Sequence, residues 1–213
     1  AVDFPDQAQI VIIGGGVVGC SVAYHLAELG IKDVVLFERK LLTSGTTWHA
    51  AGLVGQLRAT QNLTRLAQYT TNLYAELEEL TGQATGFRQN GSLSLATDAE
   101  RFEELKRGAS MASCFGLEVE VVSPKEALDL YPIMSTENLV GAVFLPRDGQ
   151  TNPTDTTQAL ARGARDKGVR IYEGVTVESF EKEGGRVSAV VTSRGRIACE
   201  TVINCAGMWG RAL

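Results

Sequence analysis

The stretch QIVIIGGGVVGCSVAYHLAELGIKDVVLFE, residues 9–38, decides the fold. Gln9 to Ile13 is an apolar, β-branched run, the pattern of a parallel strand buried on both faces. It enters a glycine turn and then a helix from Val17 to Leu29, which Gly30 ends as a C-terminal glycine cap. Asp33 to Glu38 is a second buried strand, so the stretch reads as one βαβ unit. Gly14, Gly16 and Gly19 form G-x-G-x-x-G at its turn. The glycines permit the tight turn, a close approach of backbone to a pyrophosphate, and close packing of helix on strand. The helix start offers N–H groups and the positive end of its dipole to the phosphates. Gly14, Gly16, Val18 and Gly19 are therefore candidate cofactor residues. Glu38 ends the second strand about twenty residues beyond the last glycine, where a carboxylate accepts hydrogen bonds from a ribose. The unit predicts a dinucleotide site without choosing between NAD and FAD.

The chain outside this unit falls into three textures. Leu63 to Leu80 has apolar residues near helical spacing and is expected to face a core, with Gly82 closing the helix. Phe87 to Ala96 holds a central Asn90-Gly91, a hairpin signal. Thr97 and Glu100 read as a capping box for a helix to about Phe115. Ser123-Pro124-x-Glu126 starts a short helix that stops before Pro132, and Leu139 to Leu145 is a strand. From Thr151 the texture changes again. Asn152-Pro153-x-Asp155 caps a helix running to Gly168, and the strand VRIY follows. Val175 to Ile197 reads as a meander of short strands, and Thr201 to Cys205 as a last apolar strand turning at Ala206-Gly207 into a helix. The expected organisation is an α/β domain made of residues 1–86 and 150–213, with 87–149 as an α+β insertion. Because the chain stops a few residues into that last helix, we expect a longer natural protein.

Composition narrows the function. The 213 residues are 44% hydrophobic and 21% charged, with net charge -5. That charge disfavours a general nucleic-acid or anionic-membrane surface. No apolar run approaches the roughly 20 residues that cross a bilayer. Cys20, Cys114, Cys199 and Cys205 form no C-x-x-C pair and read as reduced, mostly buried thiols of a cytosolic-type compartment. No His/Cys cluster has metal-ligand spacing. Of the two histidines, His25 lies mid-helix with no partner motif, and His49 lies in the loop LTSGTTWHAAGL, residues 42–53. Trp48 and Trp209 read as packing residues rather than catalysts, with lining of the cofactor as the alternative for either.

Beyond the fingerprint, an insertion followed by a helix, a strand, a meander and a strand ending in glycine resembles the flavoprotein class of glutathione reductase and D-amino-acid oxidase. That class has a Rossmann-like FAD-binding domain in which the meander lies over the sheet. The resemblance implies adenine against the backbone of Val175, and Ala206 and Gly207 near the cofactor. The segments GGGVVGCSVAYHLAELG, ERKLLTSGTTWHAAGL, LEELTG, NGSLSLAT, VVSPKEALDLYP, PRDGQTNP and VINCAGMWG sharpen it. Together they resemble the sarcosine dehydrogenase and dimethylglycine dehydrogenase/oxidase family across nearly the whole chain, with the Trp-His loop as the most specific part. In that family the histidine of this loop is bonded to the flavin 8α carbon, and the matching residue is His49. Neutral imidazole is a competent nucleophile for such a bond. Ser44, Thr46 and Thr47 offer hydroxyls to the pyrophosphate or ribityl chain. Small residues through Gly52 and Leu53 allow close backbone approach, and Arg39 reaches toward the adenosine or phosphate.

The resemblance implies oxidation of a secondary or tertiary N-methyl glycine-type amine, such as sarcosine or dimethylglycine, by hydride transfer to FAD. The acceptor would be oxygen or an electron-transfer protein, and tetrahydrofolate would belong to a further C-terminal region. Substrate residues are expected beyond residue 213, so no catalytic residue is named, and weak or absent FAD binding is expected of the 213 residues alone. The expected compartment is the cytoplasm, or the mitochondrial matrix after loss of a presequence. Two alternatives stand beside this reading. One is a non-catalytic regulatory subunit of the same fold; the other is an NAD-dependent dehydrogenase.

Overall fold

A computed structural model describes residues 4–213. In chain order the elements are β1 (Gln7–Ile13), α1 (Val17–Glu28), β2 (Val34–Glu38), β3 (Leu53–Val54), α2 (Gln61–Thr81), β4 (Ser92–Ala96), α3 (Ala99–Cys114) and β5 (Glu120–Val122). Then follow α4 (Pro124–Leu130), β6 (Gly141–Leu145), β7 (Gly149–Gln150), α5 (Pro153–Asp166), β8 (Arg170–Glu173), β9 (Val177–Glu183), β10 (Arg186–Thr192) and β11 (Gly195–Asn204). Short 3-10 turns cover Thr47–His49 and Gly207–Ala212. Among the described residues, no helix is long and apolar enough to cross a membrane.

The chain divides into two compact units: residues 1–51, 77–86 and 152–213, and residues 52–76 and 87–151. Residues 52–76, expected with the first α/β segment, thus cluster with the inserted one. The difference follows from β3, which pairs antiparallel with β7 at Leu53–Gln150 and Val54–Gly149, a partner nearly a hundred residues away.

The first unit is built on a six-stranded sheet in the order β8-β2-β1-β11-β10-β9. β8, β2, β1 and β11 run parallel, and β10 and β9 complete it antiparallel. The meander and the final apolar strand are not separate layers. One ten-residue strand, β11, pairs with β10 through Ala189–Ala198 and with β1 from Gln7–Ala198 to Ile13–Asn204. The meander is joined to the parallel sheet through β11, whose first residues pair with β10 and whose last pair with β1, and Val177, Val190 and Ile197 of the meander share one buried cluster with Val11, Ile13, Val35 and Phe37 of the parallel strands. Val34 to Phe37 are all buried, which is why β2 reads as an unbroken apolar run. Helices α1 and α5 pack on each other. Their approach is close because position 163 is glycine; a Cβ there would lie 2.7 Å from the Tyr24 ring. One buried cluster joins Val11, Ile13, Val35, Phe37, Val175, Val190 and Ile197.

The second unit holds the antiparallel sheet β4-β6-β5. Its core includes Ala109, Ala112, Leu117, Val143 and Leu145. No hairpin forms across Asn90-Gly91. Gly91 has φ +78° and donates its N–H to the Asp148 carbonyl, and β4 pairs instead with β6. Glycine is required there because a Cβ would meet the Phe144 ring at 2.3 Å. The α3 cap is Asp98, whose carboxylate accepts from the Arg101 N–H, so the N-cap lies one residue beyond the expected Thr97 and the Thr97–Glu100 capping box does not form. Ser123 starts α4 as expected, and it forms a capping box with Glu126. On α2, Leu77 is fully buried, but Leu63, Leu66 and Leu80 are more than half exposed, so the leucine stripe is only partly core.

Candidate functional site

The glycine turn shows why two of the three fingerprint positions, Gly14 and Gly19, must be glycine. Gly14 has φ +106°, and a Cβ on it would lie 2.5 Å from the Cys205 carbonyl oxygen. A Cβ on Gly19 would lie 1.9 Å from the Gly14 carbonyl, so α1 is pressed against its own turn. Gly16 is the N-cap residue of α1, and a Cβ there would meet one atom, Thr47 Oγ1, in a tight contact at 3.0 Å. The turn is tied to both neighbouring strands. The Gly14 N–H donates to the Phe37 carbonyl at 2.9 Å, and the Cys205 N–H to the Ile13 carbonyl at 2.8 Å.

At the carboxyl ends of β1, β2 and β11 lies a cleft of about 330 Å³. That is where open α/β sheets bind ligands, and the volume is at the lower end for small-molecule sites. Gly14, Gly16, Glu38, Arg39, Ser44, Thr46, Thr47, Val175, Ala206 and Gly207 all line it. Glu38 is the hub. Its carboxylate accepts the Gly15 N–H at 2.8 Å and the Lys40 N–H at 2.9 Å. About four lone-pair sites on a carboxylate leave room for two ribose hydroxyls besides. Thr47, expected to offer its hydroxyl to the ligand, uses Oγ1 to accept the Val17 N–H at 3.0 Å and so caps the first turn of α1. Val175 donates its N–H to the Glu38 carbonyl, so its carbonyl is the backbone group that an adenine would meet.

Five expected residues do not line the cleft. Val18 is exposed on α1, and Gly19 is buried in the helix–turn contact. His49 follows the cleft-lining part of its loop and is exposed, with its ring stacked on Trp48. Gly52 and Leu53 cluster with the second unit. Trp48 and Trp209 are not core residues; Trp48 is 57% and Trp209 39% exposed.

Trp209, one of the two tryptophans singled out from the sequence, lines the cleft, and residues that sequence reasoning did not single out complete the site. The Trp209 ring stacks under the Arg39 guanidinium, 4.4 Å from its centre, and a Cβ on Gly45 would touch it at 3.3 Å. Glu173 accepts the Leu42 N–H at 2.5 Å, and the Thr43 N–H donates to the Gly15 carbonyl at 2.9 Å, which pins the loop to the sheet. Thr176, Val177 and Glu178 form another wall. Burial pushes the Cys205 thiol up, so this cleft residue stays protonated near neutral pH. The four cysteines are free thiols; Cys20 and Cys199 are buried, Cys205 is half-buried and Cys114 is exposed.

The residues present fit a dinucleotide. A glycine stands at the helix start, and a partly engaged carboxylate stands at the end of β2. The FAD dependent oxidoreductase (DAO) family matches residues 9–213. The chain belongs to this family. Human sarcosine dehydrogenase, mitochondrial, is 42% identical over 98% of the chain and 23% of that protein. The mouse pyruvate dehydrogenase phosphatase regulatory subunit, mitochondrial, is 39% identical over 100% of the chain and 24% of its own length. Rat dimethylglycine dehydrogenase, mitochondrial, is 39% identical over 98% of the chain and 24% of its own length. Among solved structures, L-proline dehydrogenase from P. horikoshii superposes with a TM-score of 0.93 at 28% identity, over 99% of this chain and 55% of that one. The chain thus spans about a quarter of the length of these curated relatives. Membership of the FAD dependent family chooses FAD over NAD, a choice that the glycine fingerprint leaves open.

Proposed function

We propose that this chain is the FAD-binding portion of an enzyme that oxidises a secondary or tertiary N-methyl amine of the sarcosine or dimethylglycine type. The observation that carries the reading is the cleft itself, with Gly16 at the start of α1 and the Glu38 carboxylate at the end of β2. The identity to sarcosine and dimethylglycine dehydrogenases over nearly the whole chain supplies the substrate class. The α1 N-terminus would hold the pyrophosphate, Glu38 the ribose, and Arg39 and Val175 the adenosine. When bound, FAD supplies a two-electron acceptor. It would take up the hydride of the N-methyl carbon and so leave the amine as an iminium. The chain's own residues orient the dinucleotide and keep the pyrophosphate against backbone N–H groups. His49 is the residue for a covalent link to the 8α carbon. We assign no catalytic residue among those described. The terminal acceptor is dioxygen or an electron-transfer protein, and any tetrahydrofolate is held outside these residues. Free thiols agree with a reducing compartment, the cytoplasm or the mitochondrial matrix.

A second reading has its own support. The phosphatase regulatory subunit is 39% identical over all of this chain, which covers 24% of that protein. Anaerobic mixing of the whole protein with sarcosine or dimethylglycine separates the two. Bleaching of the flavin absorbance is expected for the enzyme. A bound flavin that stays oxidised with both amines favours the regulatory reading.

A further inference from the structure

The cleft leaves one feature unused. Trp48 and His49 are consecutive, both exposed, and their ring centroids lie 3.8 Å apart with planes tilted by 34°. The loop that carries them is unusually well anchored. The Leu42 side chain is buried under the glycine turn, where a Cβ on Gly15 would lie 2.4 Å from it. Thr43 holds φ 71°, a left-handed conformation that costs a non-glycine residue, and its N–H bond to Gly15 keeps it there. Thr47 is tied to Val17 on α1, and the His49 N–H closes the 3-10 turn on the Thr46 carbonyl at 3.2 Å. Helix α5 packs against this turn. The backbone under His49 is therefore fixed, and the remaining freedom is the rotation of its side chain. The Trp48 ring removes much of that freedom by stacking.

We propose that Trp48 is a positioning residue for His49: its indole holds the imidazole in the orientation from which His49 bonds to the flavin. The inference rests on the His49 link proposed above. In the balanced step, an imidazole nitrogen loses its proton and forms a bond to the 8α carbon, which loses a hydrogen as a proton. The two electrons released pass to dioxygen, the oxidant, which becomes hydrogen peroxide. Nothing in this step requires Trp48 to exchange protons or electrons. Its contribution is the fraction of time that the imidazole spends correctly turned.

The test reads flavin attachment instead of turnover. The whole protein is produced without flavin and mixed with FAD in air. Total bound flavin and acid-stable flavin on the His49 peptide are followed with time for wild type, Trp48→Phe, Trp48→Leu and Trp48→Ala. Trp48→Phe should attach flavin at close to the wild-type rate. Trp48→Leu and Trp48→Ala should bind as much FAD but attach it roughly three- to tenfold more slowly, the factor that one aromatic pair supplies. Trp48 is 57% exposed, so its loss leaves the core intact. Among these 213 residues His49 and His25 are the two histidines, and the ring NMR signals of each are assigned by its own His→Gln substitution in the whole protein. Trp48→Ala should move the His49 signals and leave those of His25 in place. Unchanged attachment in Trp48→Ala, unmoved His49 signals, or slowing matched by loss of total FAD overturns the role of Trp48. A wild type that holds FAD with none on the His49 peptide refutes the link itself.

Discussion

Two alanine substitutions three residues apart should have opposite effects. A Cβ on Gly19 would lie 1.9 Å from the Gly14 carbonyl oxygen and 3.1 Å from its carbon, and both are backbone atoms. Real Cβ contacts essentially never fall below 3.0 Å, so α1 would have to retreat by more than about 1 Å from a turn held on both sides. Overpacking of this kind costs about 1–3 kcal/mol, and backbone on both sides puts it at the upper end. Replacing a helical glycine by alanine returns at most about 1 kcal/mol. The net loss is about 2 kcal/mol, a fall in Tm of roughly 4–8 °C for a chain of this size. Gly16 differs. It has φ -82° and ψ -178°, which any residue adopts, and its Cβ would meet only Thr47 Oγ1. Gly16→Ala should therefore cost about 1 kcal/mol or less, yet place a methyl group where the pyrophosphate must approach. We expect wild-type melting within roughly 4 °C, with FAD affinity reduced at least tenfold. Thermal unfolding and flavin-fluorescence titration of both variants provide the assay. Gly19→Ala melting with the wild type would refute the packing argument. Gly16→Ala binding FAD normally would refute the placement of the pyrophosphate.

Three further outcomes follow from the same structure. Glu38→Ala should weaken FAD binding by roughly ten- to a hundredfold, the range for a hydrogen-bonded charged group; an unchanged Kd would remove Glu38 from the site. Burial pushes the Cys20 thiol from about 9 to about 12. Because the folded value is raised, this stabilisation is complete below pH 9 and lost as pH rises toward 12. The difference amounts to about 4 kcal/mol, and burial pushes Cys199, Cys205 and Tyr74 the same way. Tm measured from pH 8 upward should fall above pH 9, and less steeply in Cys20→Ala; parallel curves would contradict it. Asp98→Ala should cost about 1 kcal/mol and Thr97→Ala only a few tenths in denaturant melts, because Asp98 holds the α3 cap; the reverse order would restore the Thr97 capping box.

What the sequence makes legible is what short-range geometry dictates. The βαβ unit is visible because Gly14, Gly16 and Gly19 keep a fixed local spacing between strand and helix, with Gly19 answering to the Gly14 carbonyl of the same turn, and because Val34 to Phe37 of β2 are all buried. Glu38 is visible because its place at the end of that strand fixes its role. The caps at Ser123 and Asn152 lie next to the N–H groups that they serve. Long-range pairing is not written locally. The double use of β11 depends on partners on both edges. Asn90-Gly91 carries a hairpin pattern, but its glycine serves contact with Phe144. The anchoring of the Trp-His loop through Glu173 spans 131 residues, and Trp209 reaches Arg39 and Gly45 only once β11 has paired with β1. The Leu63, Leu66 and Leu80 positions keep helical spacing without being buried, which periodicity alone cannot distinguish from a core.

The central claim is that this fold holds FAD and that His49 is bonded to it. The most direct measurement denatures the whole protein in acid, separates it from small molecules, and records the absorbance and mass of the peptide containing His49. The account predicts a yellow peptide heavier by the flavin, with the added mass on His49. Flavin recovered entirely in the small-molecule fraction would contradict the link, and protein purified with no flavin at all would contradict the reading of the cleft.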